Sequence, residues 1–240
     1  MLAAAILTTI IVGVGLAKLL GLQKRFGALT GGSVAICGAS AALAISTILP
    51  KGENHERDTL LTVIGVTAMS TIAMVLYPIV AAQLGMNDTE AGIFLGGTIH
   101  DVAQVVGAGY SVSDSAGDMA TLTKLVRVAM LMPVVLIMMI AIKHFYKAKS
   151  QADGAQVPKM PMFLVGFIVL MLLNSFVTLP EVVIETGTQI SRFFLVVSIT
   201  AIGMKSNLGK LAEVGMLPIV MIVAETLWIA LLILGYLFAI

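Results

Sequence analysis

Three polar residues sit close together in an otherwise apolar stretch: His100, Asp101 and Gln104, preceded by Gly97 and Thr98. A charged group at the centre of a bilayer costs about 2.5–3.5 kcal/mol on insertion scales, so such residues face a bundle interior or a wet cavity. Histidine titrates near neutrality, and an aspartate beside it suits proton or cation exchange. Spacing of four places His100 and Gln104 on one helix face, with Asp101 about 100° round. Lys124 and Arg127, three apart, form a cationic stripe that suits an anion or neutralises Asp101. Snorkelling from a helix end is the plainer alternative. Glu225 interrupts a long apolar run and is a candidate to pair with a base or carry a coupling ion.

Those side chains need a scaffold that exposes backbone inside the membrane. Gly96-Gly97 invites a helix break, with Thr98 as N-cap of a new helix and Asp101 as its capping-box acid. Gly31-Gly32-Ser33-Val34 parallels Gly96-Gly97-Thr98-Ile99, which puts Gly32 and Ser33 beside Gly97 and Thr98 as candidate binding positions. Two interrupted hydrophobic segments in corresponding positions point to a transporter's midplane site. Close helix packing through small residues is the competing account of both glycine pairs. The transporter reading requires interruptions at residues 31–33 and 96–98, with His100 and Gln104 turned inward.

Of the 240 residues, 59% are hydrophobic and 11% charged, and the mean hydropathy is +1.05. Soluble domains carry about 25% charged residues, so the chain reads as an all-α polytopic membrane protein with the lipid bilayer as its partner. At about 20 residues per span the length admits roughly eight. The expected spans are Leu2–Leu20, Ala28–Leu49, Thr59–Gly85, Ala91–Gly109, Thr121–Ile142, Met160–Leu179, Ile184–Met204 and Val214–Ile240. Ser111–Asp118 reads as a polar turn. This divides the chain into membrane helices over 1–142, a basic linker over 143–159, and helices over 160–240. If all eight segments cross, nine loop Lys and Arg residues gather on one side and only Lys51 and Arg57 on the other. That bias places the linker in the cytoplasm and both termini outside. A re-entrant second or fourth segment would change the count.

Other chemistries lack their residues. No nucleophile elbow is present, His55-Glu56-Arg57-Asp58 lacks the second histidine of a metalloprotease motif, and there is no phosphate-binding loop. The chain therefore reads as a non-enzyme without cofactor or metal, and its net charge of +1 gives no sign of a nucleic-acid partner. The single Cys37 reads as a packing residue.

The segment Gly32-Ser33-Val34-Ala35-Ile36-Cys37-Gly38-Ala39-Ser40-Ala41 resembles a signature of the bacterial inner-membrane proteins catalogued as a sulfate exporter family. Gly96-Gly97-Thr98-Ile99-His100-Asp101-Val102-Ala103-Gln104-Val105-Val106 is similar to that family's second signature. Lys124-Leu125-Val126-Arg127-Val128 and Ala201-Ile202-Gly203-Met204 are similar to later, weaker blocks. The resemblance implies a multi-pass protein related to cation–proton antiporters and bile-acid symporters, with inverted repeats and discontinuous helices. Family members carry further N-terminal spans, so Leu2–Leu20 corresponds to a middle helix; a fragment, a mis-assigned start or a partner subunit would each account for the difference. The leading expectation is a secondary transporter exporting a small anion of the sulfate or sulfonate class. Amides after Ser33 and Thr98 would hold the anion, Lys124 and Arg127 would add charge, and His100, Asp101 and Glu225 would couple a proton or sodium ion. A cation exchanger using Asp101 and Glu225, or a non-transporting membrane subunit, are the alternatives, and association into a homo-oligomer is left open.

Overall fold

The computed structural model describes residues 1–50, 54–147 and 216–239, together with separate residues between 166 and 197. The chain divides into two compact units, Met1–Pro158 with Gly215–Ile240, and Lys159–Val214. The described residues are helical throughout both, with no strand among them. In the second unit the longest described helical run covers residues 181–187. Residues 148–159 of the expected linker lie outside the described residues.

The first unit contains α1 (Leu2–Leu19), α2 (Lys24–Ala35), α3 (Ala39–Ile48), α4 (His55–Gln83), α5 (Asp88–Thr98), α6 (Val102–Val112), α7 (Asp114–Ala129), α8 (Leu131–Lys147) and α9 (Leu217–Ala239). Four stretches are long and apolar enough to cross a bilayer: α1, α4, α9 and Asp114–Ile142, which takes in α7 and most of α8. Their starts have local causes. Asn87 and Glu90 form a reciprocal capping box at α5, at 3.0 and 2.9 Å. Ser113 accepts from the Ala116 amide at 3.0 Å and starts α7, so the expected polar turn over Ser111–Asp118 shrinks to one residue. Similarly, α8 runs to Lys147, into the expected linker.

The second and fourth expected spans are not single straight helices but fold back on themselves. Each is a helical hairpin that starts and finishes at the same end of the unit. In the first hairpin, Arg25 near the start of α2 donates to the carbonyl of Pro50, just past α3, at 3.5 Å. Gly32 of α2 packs on Ile45 of α3, a pair that a straight helix would hold about 20 Å apart. In the second hairpin, Gly92 of α5 and Gly109 of α6 flank the same Ala116 carbonyl of α7. A β-carbon added at either glycine would lie 2.8 or 3.3 Å from that oxygen.

The turns are also displaced from the expected places. Both α2 and α5 run unbroken through 31–33 and 96–98, so the interruption condition fails at the residues named for it. The interruptions stand instead at Ile36-Cys37-Gly38, three residues beyond Ser33, and at Ile99-His100-Asp101, immediately after Thr98. The glycine pairs serve packing instead: Gly31 against α1, Gly32 against Ile45, Gly96 against α7 and Gly97 against Ile233 of α9. A Cβ on Gly31 would stand 3.0 Å from the Thr9 carbonyl, which shows how closely α1 and α2 lie.

Following the chain through these turns sorts the basic residues by end, although Glu56 and Asp58 of α4 stand among them. Lys18, Lys24, Arg25 and Arg57 lie at the end where the first hairpin opens, and α8 carries Lys143 and Lys147 towards it. Asp88, Glu90, Asp114 and Asp118 lie at the opposite end, where the second hairpin opens. Arg57, expected on the side facing Lys143, joins it because the hairpin between them folds back.

Candidate functional site

The two hairpin tips meet inside the first unit. Gly38, with φ of 65°, forms the first tip in the left-handed region that glycine adopts without strain. A Cβ there would also sit 3.4 Å from Cβ of His100 on the second tip. Helices α2 and α5 thus both end in the interior, each with carbonyls that no intrahelical amide reaches and with the negative end of its dipole.

Lys124 and Arg127 answer that local excess of acceptors. Both are fully buried on α7, at 0% and 1% exposure. All five N–H groups of Arg127 are used. Nε and Nη2 donate to Ala35 O at 3.0 and 2.8 Å, and Nη2 to Val34 O at 2.9 Å. Nη1 donates to Gly96 O at 3.1 Å and Ile99 O at 3.2 Å. The Lys124 ammonium donates to Ile36 O at 2.8 Å and Ile99 O at 3.0 Å, so it ties one tip to the other. Every described donor of the pair goes to backbone, and Arg127 has none left for a ligand in this arrangement. Among the described residues the ion pairs are Arg25–Asp58 and Arg57–Asp58, so neither buried cation is in an ion pair there.

The polar residues of the second tip point to different helices. His100 is fully buried and lies before α6 rather than on it, so it shares no helical face with Gln104. The Thr226 hydroxyl of α9 donates to Ile222 O at 2.8 Å and accepts from His100 Nε2 at 3.0 Å, while Nδ1 has no described partner. Gln104 Nε2 donates to Thr71 Oγ1 of α4 at 3.0 Å, leaving Oε1 without a described partner. Asp101, not Thr98, is the N-cap of α6: its Oδ1 accepts from the amides of Ala103 at 2.9 Å and Gln104 at 3.3 Å. Ser70 Oγ of α4 accepts from the amides of His100 and Asp101 at 3.2 and 2.9 Å.

Ser33 and Thr98 spend their hydroxyls on their own helices, donating to Leu29 O at 2.5 Å and Phe94 O at 2.6 Å. The amides expected to be released after Thr98 are therefore engaged, by Leu95 O for Ile99 and by Ser70 for the next two. At the first tip the N-terminus of α3 has no side-chain cap, and Ala39 is partly buried while Ser40 is exposed. Glu225, one residue before Thr226, is fully buried and accepts from Thr30 Oγ1 of α2 at 2.9 Å. Thr30, Ser70, Thr71 and Thr226 had no signal in the sequence, since a hydroxyl in an apolar helix ordinarily bonds the carbonyl four residues back.

Long apolar helices, two re-entrant hairpins and a buried cationic clamp between their tips define a polytopic helical membrane protein. The chain belongs to the family described as conserved hypothetical protein 698, whose model matches residues 1–222. It is 50% identical over 230 residues to the UPF0324 membrane protein TauZ of Paracoccus denitrificans, covering 96% of this chain and 68% of that protein. It is also 50% identical over 234 residues to a UPF0324 membrane protein of Chlorobaculum tepidum, covering 96% of this chain and 64% of that one. The chain spans about two thirds of the length of the curated relatives it matches. No solved structure matches it.

Proposed function

We propose that the protein is a secondary transporter for a small anion of the sulfate or sulfonate class. One observation carries the reading: two fully buried cations, Lys124 and Arg127, stand behind the meeting tips and form no ion pair among the described residues. Two helix C-termini supply only about half a negative charge each, so the interior favours an anion over a second cation. The uncapped start of α3, on the accessible side of the first tip, offers backbone amides towards such a ligand. Asp101 blocks the corresponding start of α6 by capping it, which moves the proposed contact from the amides after Ser33 and Thr98 to those after Gly38.

Hairpins that enter from opposite ends and meet midway also suit the inverted-repeat architecture of secondary transporters. The segregation of Lys and Arg supports an orientation with the first hairpin opening to the cytoplasm and the second to the outside. A bacterial inner membrane fits that arrangement. Two relatives carry the taurine-related name TauZ, and taurine is a sulfonate.

Counterflow in proteoliposomes containing the natural gene product tests this. Labelled sulfate or taurine should exchange saturably, each should compete with the other's class, and Lys124→Gln should lose most of the flux. Electrogenic sodium or proton exchange with no anion requirement would instead favour the cation-exchanger alternative and overturn this reading.

A further inference from the structure

We propose that Glu225 is a proton-binding site that couples the transport cycle to a pH gradient. The proposal rests on the transporter reading but not on which anion is carried. The carboxyl is completely buried on α9 and enters the seam between α1 and α2. Gly13 of α1 makes room for it: a β-carbon there would lie 2.5 Å from Glu225 Oε1 and 2.6 Å from Gly27 O. A hard cation gathers about six oxygen ligands, whereas the described hydrogen-bond partner of this carboxyl is the single hydroxyl of Thr30. A proton needs no such set.

The hydrogen bonds around it have two consistent arrangements. Thr30 Oγ1 lies 2.9 Å from Glu225 Oε1 and 3.1 Å from Phe26 O, but owns a single proton. With Glu225 protonated, the carboxyl O–H donates to Thr30, and Thr30 keeps its bond to Phe26. With Glu225 ionised, Thr30 must turn its proton to the carboxylate and abandon Phe26. Oε2 then remains without a donor, which is costly in a buried anion. Loading and releasing one proton therefore makes and breaks a bond within the arm of the first hairpin. The next residue, Thr226, holds His100 at the tip of the second. One turn of α9 thus touches both hairpins, and a change at Glu225 bears on how they meet.

Among the described residues no charged group bonds to Glu225, whose hydrogen-bond partner is Thr30. Gly13 faces it from α1, and Gly27 and Thr30 from α2. No charged side chain of α4 or α5 bonds to it, and His100, reached through Thr226, is the titratable neighbour along α9.

The test uses the natural protein in proteoliposomes loaded with a pH-sensitive dye. An imposed pH gradient should drive net sulfate or taurine flux with proton movement in the unaltered protein. Glu225→Gln, a near-isosteric stand-in for the neutral acid, should retain anion counterflow at equal pH yet lose both the gradient response and the proton signal. Gly13→Ala, which presses a methyl on the carboxyl, should also lose the gradient response. A Glu225→Gln protein as responsive to the gradient as the parent overturns the proposal while leaving anion transport standing. Absence of any anion exchange in the parent overturns the transporter reading instead. Infrared difference spectra then decide Glu225 by itself: a protonated-carboxyl band that fades as pH rises and is missing in Glu225→Gln supports a proton site, and its absence overturns one.

Discussion

Arg127 does at residue scale what neither helix end can do for itself. Its fork reaches carbonyls of α2 and α5 together, and hydrogen bonds to a charged group contribute about 1.5–3 kcal/mol each. Lysine carries the same charge with three donors on a single nitrogen, so at position 127 it could not replace the five donors that reach Val34, Ala35, Gly96 and Ile99. Arg127→Lys should destabilise the purified protein by about 3 kcal/mol or more, read as a lowered unfolding midpoint in detergent. A midpoint unchanged by that substitution would show the five contacts to be dispensable. Lys124 occupies a different place, since both of its described bonds lie at the very tips. Its loss should weaken transport more than folding.

At the scale of elements, small residues decide how near the arms of each hairpin approach their supports. Gly96 lies against the backbone of Ala120, whereas a β-carbon on Gly107 would meet only Met74 Sδ at 3.9 Å. Overpacking a tight contact costs about 1–3 kcal/mol, while a glycine-to-alanine change in an open helix position stabilises by up to about 1 kcal/mol. Gly96→Ala should therefore reduce the folded yield and thermal midpoint, and Gly107→Ala should leave both unchanged or raised. Because α5 must sit close to α7 for Arg127 to reach Gly96 O, the same substitution should also loosen the clamp. Increased amide exchange at Ile99 and His100 in Gly96→Ala would register that coupling.

The whole molecule is governed by which segments cross. Eight alternating crossings put Arg57 and Asp88 on the outside and inside respectively; two hairpins reverse both. In a Cys37→Ala background, Arg57→Cys should react with an impermeant maleimide only from the cytoplasmic face, and Asp88→Cys only from the outer face. The opposite labelling pattern would restore the eight-crossing topology for residues 1–142. The sidedness of the termini is the same under either scheme, because exchanging two crossings for two returns preserves parity.

Much of this protein was legible in the chain itself. Apolar content and the polar residues at 100, 101, 104, 124, 127 and 225 stand out by solvation cost, which is a property of composition and local spacing. The near-repeat of Gly-Gly-Ser-Val and Gly-Gly-Thr-Ile marked the two interrupted segments, although not where they turn. A glycine pair permits either a break or a close approach, and local pattern does not choose between them. That choice was made by partners distant in sequence: Thr9, Ile45, Ala120 and Ile233 against the glycines, and Lys124 with Arg127 at the carbonyls. Whether an interrupted segment crosses or returns is likewise decided by which helix it packs on. Only the tertiary structure could turn two candidate spans into hairpins and direct a cationic stripe to backbone oxygen.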